Sequence, residues 1–440
     1  MKAQPSVEDD STEAPRTARM PVPRRFDRPK ICVRMLYISR ALRILFSRLR
    51  RRMLFQTTRR RVQLYRDQIN IRMSPMTRGA TPRLFNLDLH IAVIADLEEE
   101  FVSQGAKVTR WSISNHNHLV PGRLPVSDPV RFINQKTWRN LNHEMIEKFQ
   151  TRYYEFLASF DGFVCTYTPA FAELYGVFEK PILVQAATRY EAPYTNRSDE
   201  WCQLNAFLTR GVRSGQIVLV ANNSGDASYL SHFTDLAVPV VPSLCNKPIC
   251  ERASNSKRLV ISADPRLTRL VELQTQKQYQ VPNPRWRTYA WETLAQSSEV
   301  LVFPQNVSTM TLFELATAGV PVAVPSRRWI RELRDSGYQV LHQCTFSEIY
   351  GLPTAHLSED DPTNYESPRY LDWWLDRADF YNEALMPNIR VVDSISELVG
   401  APPVDKAAID HSGRSVLVAE RNREIRSLRR HLVQDFLRLV

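Results

Sequence analysis

No uncharged run in these 440 residues approaches the roughly 20 that a membrane span requires. The six cysteines, at positions 32, 165, 202, 245, 250 and 344, form no CxxC pair, so neither a disulfide framework nor a zinc site is expected. There is no P-loop, no dinucleotide glycine fingerprint, no GxSxG elbow and no HExxH. The body of the chain also lacks the excess of positive charge that the net value of +11 suggests. Residues 1–83 hold 21 Lys/Arg against 6 Asp/Glu, a net of +15, which leaves −4 for the other 357. A nucleic-acid enzyme spreads basic groups over its binding face, and no such face is expected here.

The basic arm has two parts. Residues 1–30, rich in Pro, Ser, Thr, Asp and Arg, fit disorder. Residues 31–67 place Ile38, Leu42, Leu45 and Leu49 at helical spacing among arginines, which predicts a basic amphipathic helix. An anionic membrane surface is the partner such a helix fits, and a solvated arm is the alternative. Acids at Glu8, Asp9 and Asp10 do not suit a transit peptide, and no clean apolar signal region is present. Glycosylation sequons occur at Asn196, Asn222 and Asn306. The last two fall where strands are expected to end, so a glycan would block the site, which favours a cytoplasmic body or unused sequons, with membrane association open through the arm.

From residue 84 onward short apolar runs alternate with longer amphipathic segments, the signature of a parallel α/β sheet. Strands are expected at Leu89–Asp96, Lys107–Ser114, Gly162–Thr168, Pro181–Thr188, Ile217–Asn223 and Val238–Leu244. A charged, proline-bearing stretch from Cys245 to Ser256 reads as a linker. A second, shorter α/β half then runs from Lys257 to Ser394, and residues 415–440 have the spacing of a long terminal helix. The expected architecture is therefore two Rossmann-like parallel-sheet domains facing a cleft, at 84–245 and 246–399. The arm (1–83) precedes them and a helical extension (400–440) follows.

The densest stretch is Ser308 to Pro325, STMTLFELATAGVPVAVP. Ser308 reads as an N-cap, with Thr309 and Thr311 in the first turn, where free N–H groups and the helix dipole favour anions. Gly319 reads as the C′ stop, Pro321 prevents the helix from resuming, and VPVAVP is a buried strand. With the preceding strand Ser297–Val307 this makes one βαβ unit whose anion site lies at the carboxyl edge of the sheet. Glu314 stands alone as an acid within an apolar helix.

The pattern S-x-x-T-x-x-E-x-x-x-x-G-x-P, met by Ser308, Thr311, Glu314, Gly319 and Pro321, resembles the nucleotide-binding half of GT-B glycosyltransferases. It is similar to that of the bacterial enzyme that adds N-acetylglucosamine to the peptidoglycan lipid precursor. The resemblance implies that Glu314 holds the ribose of a nucleotide-diphosphate sugar and that the Ser308–Thr311 turn holds its diphosphate. That sugar nucleotide would be a substrate, and no cofactor is implied. Many retaining members carry a second glutamate eight residues earlier, where this chain has Asn306, which favours inversion. The body has no DxD, so the metal-dependent GT-A chemistry is not expected. Arg327 and Arg328, following the strand, are placed to neutralise the leaving diphosphate.

Ligands of open parallel sheets bind beyond the carboxyl ends of the strands. On that rule the acceptor side is lined by Asp96, His116, His118, Arg189, Glu191, Asn222 and Asn223. An inverting transferase needs a base with a pKa near working pH, for which His116 is the first choice and Asp96 the second. The glycine-rich loop that many GT-B enzymes have after their first strand is missing, Asp96-Leu97-Glu98 standing there. The acceptor could be glycan, lipid or protein. The alternative is a non-catalytic GT-B-like protein that binds a glycan or nucleotide, tethered to a membrane by its arm.

Overall fold

In a computed structural model of the chain, the described residues are 81–89, 91–113, 133–134, 136–194, 198–245, 247, 249, 257–282, 291–400 and 411–440. All belong to one compact unit. The expected arm helix at 31–67 lies outside them.

The first sheet is built from β1 (Arg83–Asp88), β2 (Lys107–Ser112), β3 (Gly162–Cys165), β4 (Ile182–Ala186) and β5 (Ile217–Ala221). Helices α1 (Ile91–Ser103), α2 (His143–Ala158), α3 (Ser198–Arg213) and α4 (Ser224–Thr234) connect and cover it. The second sheet comprises β6 (Arg258–Ile261), β7 (Tyr279–Gln280), β8 (Glu299–Val302), β9 (Val322–Pro325) and β10 (Ile389–Val392). Around it lie α5 (Pro265–Gln274), α6 (Trp291–Ala295), α7 (Met310–Ala318), α8 (Arg327–Asp335), α9 (Phe346–Tyr350), α10 (Tyr370–Leu375) and α11 (Ile395–Gly400). A 29-residue helix, α12 (His411–Leu439), ends the chain. Every strand pairing is parallel.

The strand orders are β2-β1-β3-β4-β5 and β10-β9-β8-β6-β7. Counted within each half, both follow 2-1-3-4-5, the order of a doubly wound sheet whose switch point lies between its first and third strands. The fold class is thus the expected one, with one topology used twice. One apolar core runs through both sheets, from Phe85 and Phe163 to Val300 and Leu315, and a smaller one lies on the other face of the first sheet around Leu84 and Val164. No helix among the described residues is long and apolar enough to cross a membrane.

The opening of the first half differs from the sequence reading. The run expected as strand Leu89–Asp96 mostly enters α1, whose Ile94, Leu97 and Phe101 are buried at helical spacing. The real first strand, RLFNLD, looks too polar for a central position. Its polar groups are satisfied inside: Asn86 Nδ2 donates to Thr166 Oγ1 at 3.5 Å, and Asp88 accepts from four backbone N–H groups. Val238–Leu244 is not a strand either. Only Val240 bridges to Ala221, because Pro239 and Pro242 withdraw the donors that a ladder needs.

The terminal helix forms as expected and ties the halves together. Asn422 Nδ2 donates to the Thr317 carbonyl of α7 at 2.8 Å, while Phe436 packs edge-on against Phe101 of α1, 5.8 Å between centroids.

Candidate functional site at the seam between the sheets

The two switch points differ in what fills them. At the first, between β1 and β3, the Asp88 carboxylate collects the N–H groups of Thr166, Tyr167 and Thr168 at 2.8–3.2 Å, plus that of Leu89. Burial raises its pKa and these four donors pull against the rise. A converging set of N–H groups is the kind of place where an exogenous anion could sit, and here the protein's own carboxylate occupies it. The second switch point, between β6 and β8, opens instead onto the Asn306–Thr309 turn.

That turn is built differently from the expectation. Thr309, not Ser308, occupies the N-cap of α7, and its side chain makes no cap bond to the helix. Thr309 Oγ1 instead donates to the Asn306 carbonyl at 2.7 Å. Ser308 points across to the first half, donating to Asp226 Oδ2 at 2.5 Å and accepting from Asn223 Nδ2 at 2.8 Å. Thr311 lies in the first turn of α7, as expected, and Gly319 ends the helix at φ 73°, where only glycine sits without strain.

Asn223 is the N-cap of α4, accepting from the Asp226 N–H at 2.9 Å. Asn222 accepts from the Ser243 N–H at 2.6 Å and turns its amide toward the Met310 sulfur. The ends of β5 and β8 therefore meet. The approach is close: a Cβ on Gly225 would fall 2.6 Å from the Val307 side chain.

Further along, Arg189 Nη1 donates to the Gln343 carbonyl at 2.7 Å and stacks over the Phe346 ring. Glu191 Oε1 accepts from the Phe346 N–H at 2.9 Å, and from the other side Asp379 Oδ2 accepts from the Ser224 N–H at 3.0 Å. Glu191 and Asp226 are nearly inaccessible, and burial pushes each carboxyl up to about 7. Burial raises Asp379 as well. His342 is pushed down by burial and by Arg334 and Arg189, with Asp264 opposing. Asp226, Asp379 and His342 were not legible as site residues. Asp226 sits three residues after Asn223 and reads as half of a helix cap, Asp379 opens a single 3-10 turn, and His342 lies in an irregular segment.

Three predicted residues are elsewhere. Asp96 is on α1 rather than past a strand. Arg429 of α12 lies 3.0 Å from its Oδ2, which also accepts from Ser243 Oγ at 2.6 Å and the Leu244 N–H at 2.9 Å. These contacts make it a tie between α1, α12 and the segment after β5. Glu314, half-buried on α7, faces Lys247 of the crossover at 3.6 Å, and that ammonium lies over the Trp291 ring. Burial raises the Glu314 carboxyl and Lys247 pulls it back. Arg327 opens α8 on the surface, paired with Asp376 at 2.7 Å. It lines a recess of about 620 Å³ with Ser326, Arg328, Arg331, Tyr381 and Asp393. His116 and His118 lie outside the described residues. Among the described residues no group of three His, Cys, Asp or Glu is arranged to hold a metal ion.

No protein-family model matches the chain, and no curated protein matches it. Solved structures do. A glycotransferase of kitacinnamycin is 13% identical at a TM-score of 0.41, over 82% of this chain and 100% of its own. The calicheamicin glycosyltransferase CalG4 is 11% identical at 0.41, over 81% and 98%. The glycosyltransferase SnogD from Streptomyces nogalater is 12% identical at 0.41, over 82% and 100%.

Proposed function

We propose that the protein is a GT-B-like glycosyltransferase that moves a sugar from a nucleotide-diphosphate donor to an acceptor hydroxyl, with inversion and without a metal. The observation that carries this reading is the meeting of two sheets of identical strand order at their carboxyl edges. There the loops of one half bring near-neutral carboxyls, and those of the other bring the Ser308–Glu314 turn and helix. Ligands of such sheets bind at those edges, and the first switch point is already filled by Asp88, which leaves the second for a diphosphate. Ser308, Thr309 and Thr311 would receive it at the N-terminus of α7. Glu314 would exchange its contact with Lys247 for the ribose hydroxyls, and His116 remains the base proposed for the acceptor. The acceptor belongs to the first half, near Arg189, Glu191, Asn222 and Asn223.

A panel of nucleotide sugars screened by thermal stabilisation tests the reading. A true donor at a hundred times its Kd stabilises the folded state by about 2.7 kcal/mol. Glu314→Ala should weaken that binding by about 1.5–3 kcal/mol, as for a hydrogen bond to a charged group. Transfer should persist in EDTA. Unchanged nucleotide affinity in the variant would remove Glu314 from the site, and binding without turnover would favour a non-catalytic protein.

A further inference from the structure

Three carboxyl groups bridge the seam, and each accepts a hydrogen bond from the opposite half. Glu191 of the first half takes the Phe346 N–H, Asp226 of the first half takes the Ser308 hydroxyl, and Asp379 of the second half takes the Ser224 N–H. None has a cation within ion-pair distance among the described residues. Arg189 acts on Glu191 and Asp226 from a distance, and it is committed to the Gln343 carbonyl. We infer that these carboxyls form a proton-sensitive latch, which holds the halves together when protonated and lets them part when ionised.

The physical reason is desolvation. An ionised carboxylate buried without a counter-ion is costly, whereas the neutral acid keeps an oxygen able to accept the same hydrogen bond. The groups around each carboxyl do not change that sign. Glu191 faces Arg189 and Tyr229, with Tyr190 beside it and Tyr370 beyond Tyr229. Asp226 faces Arg189, Asp379 and Tyr167, and Tyr167 in turn faces Asp88 and Arg139. The tyrosines stay neutral, Arg189 opposes the rise, and Asp379 reinforces it.

Parting of the halves would return the carboxyls to water and to ordinary carboxylate pKa values. The closed state therefore binds more protons than the open one. Closure is fully favoured below the ordinary carboxylate range and weakens as pH rises through about 7, the value for Glu191 and Asp226. Between the ordinary carboxylate range and about 7 each titrating group weakens closure about tenfold per pH unit, and two together about a hundredfold, and the effect levels off above that window. His342, held below its ordinary pKa, acts in the opposite sense and at lower pH. Because Ser308 is itself a latch partner, opening also frees the turn assigned above to the diphosphate. That consequence rests on the proposed function, whereas the latch does not.

Single-molecule energy transfer on the full chain tests the latch without any nucleotide. Dyes are placed through unnatural residues at Thr151 on α2 and Asp335 on α8, both exposed and one on each half. A compact population should dominate at pH 6, and a more open one should grow as pH rises to 8.5. In Glu191→Gln with Asp226→Asn, permanently neutral, the compact population should persist across the range. Asp379→Asn alone should reduce the pH slope. A wild-type population that does not change with pH would overturn the inference, and so would any of these variants retaining the full wild-type shift. A latch that works while no nucleotide sugar binds would leave the latch standing and remove the transferase reading.

Discussion

Asp96 and Arg429 are both nearly inaccessible, one from α1 and one from α12. Removing one partner of such a pair leaves the other charge buried without compensation, which costs about 3–5 kcal/mol. Asp96→Ala should therefore lower the unfolding free energy in a denaturant titration by about that amount. Replacing both partners with apolar residues, Asp96→Leu with Arg429→Met, should restore much of it, since the penalty arises from the orphaned charge. A catalytic Asp96 would instead show lost turnover at unchanged stability. Residue identity alone could not separate these outcomes, because the partner lies 333 positions away along the chain. Gly319 was legible for the opposite reason. Its meaning is local, set by helix spacing and by a backbone angle that glycine alone takes without strain.

Elements were readable where periodicity decided them and obscure where tertiary contacts did. The apolar runs became β3, β4, β5, β8 and β9 at nearly their expected places. Leu89–Asp96 did not, because an apolar run of that length suits a buried helix as well as a strand. β1 was hidden because its Asn and Asp are satisfied mainly by the loop after β3. The terminal helix was visible from spacing, but not that it serves both halves. Its Val433 and Phe436 close a small core with Leu84, Leu97 and Phe101, while Asn422 and Arg421 bind Thr317 of α7. Phe436→Ala should cost about 3–5 kcal/mol. In hydrogen exchange that loss should appear as faster exchange in α1 with α7 little changed, and Asn422→Ala should give the reverse pattern. If both variants loosened α1 and α7 alike, α12 would not act as two separate contacts.

At the scale of the whole molecule, the division between a basic arm and a slightly acidic body predicts that any polyanion binding lies in residues 1–83. The structure moves the cut that tests this. β1 begins at Arg83, pairs with both β2 and β3, and fixes its first N–H on Asp161 Oδ2 at 2.8 Å. The Pro82 carbonyl also accepts from the Lys107 N–H at 2.8 Å. A chain beginning at residue 84 would remove the first residue of a central strand, whereas one beginning at Thr81 keeps it. The Thr81 version should fold with the cooperativity of the full chain and keep its affinity for any nucleotide sugar the full chain binds. It should lose attachment to vesicles containing anionic lipid, and the full chain's attachment should weaken as salt shortens the Debye length from about 10 Å at 0.1 M. Lys and Arg near such a surface each contribute about 1 kcal/mol, so the loss should be large if the basic residues before Thr81 carry the attachment. A Thr81 chain that still bound the vesicles with a steep salt dependence would place a basic face on the body after all. Nucleic acid would then have to be tested as its partner ahead of any membrane.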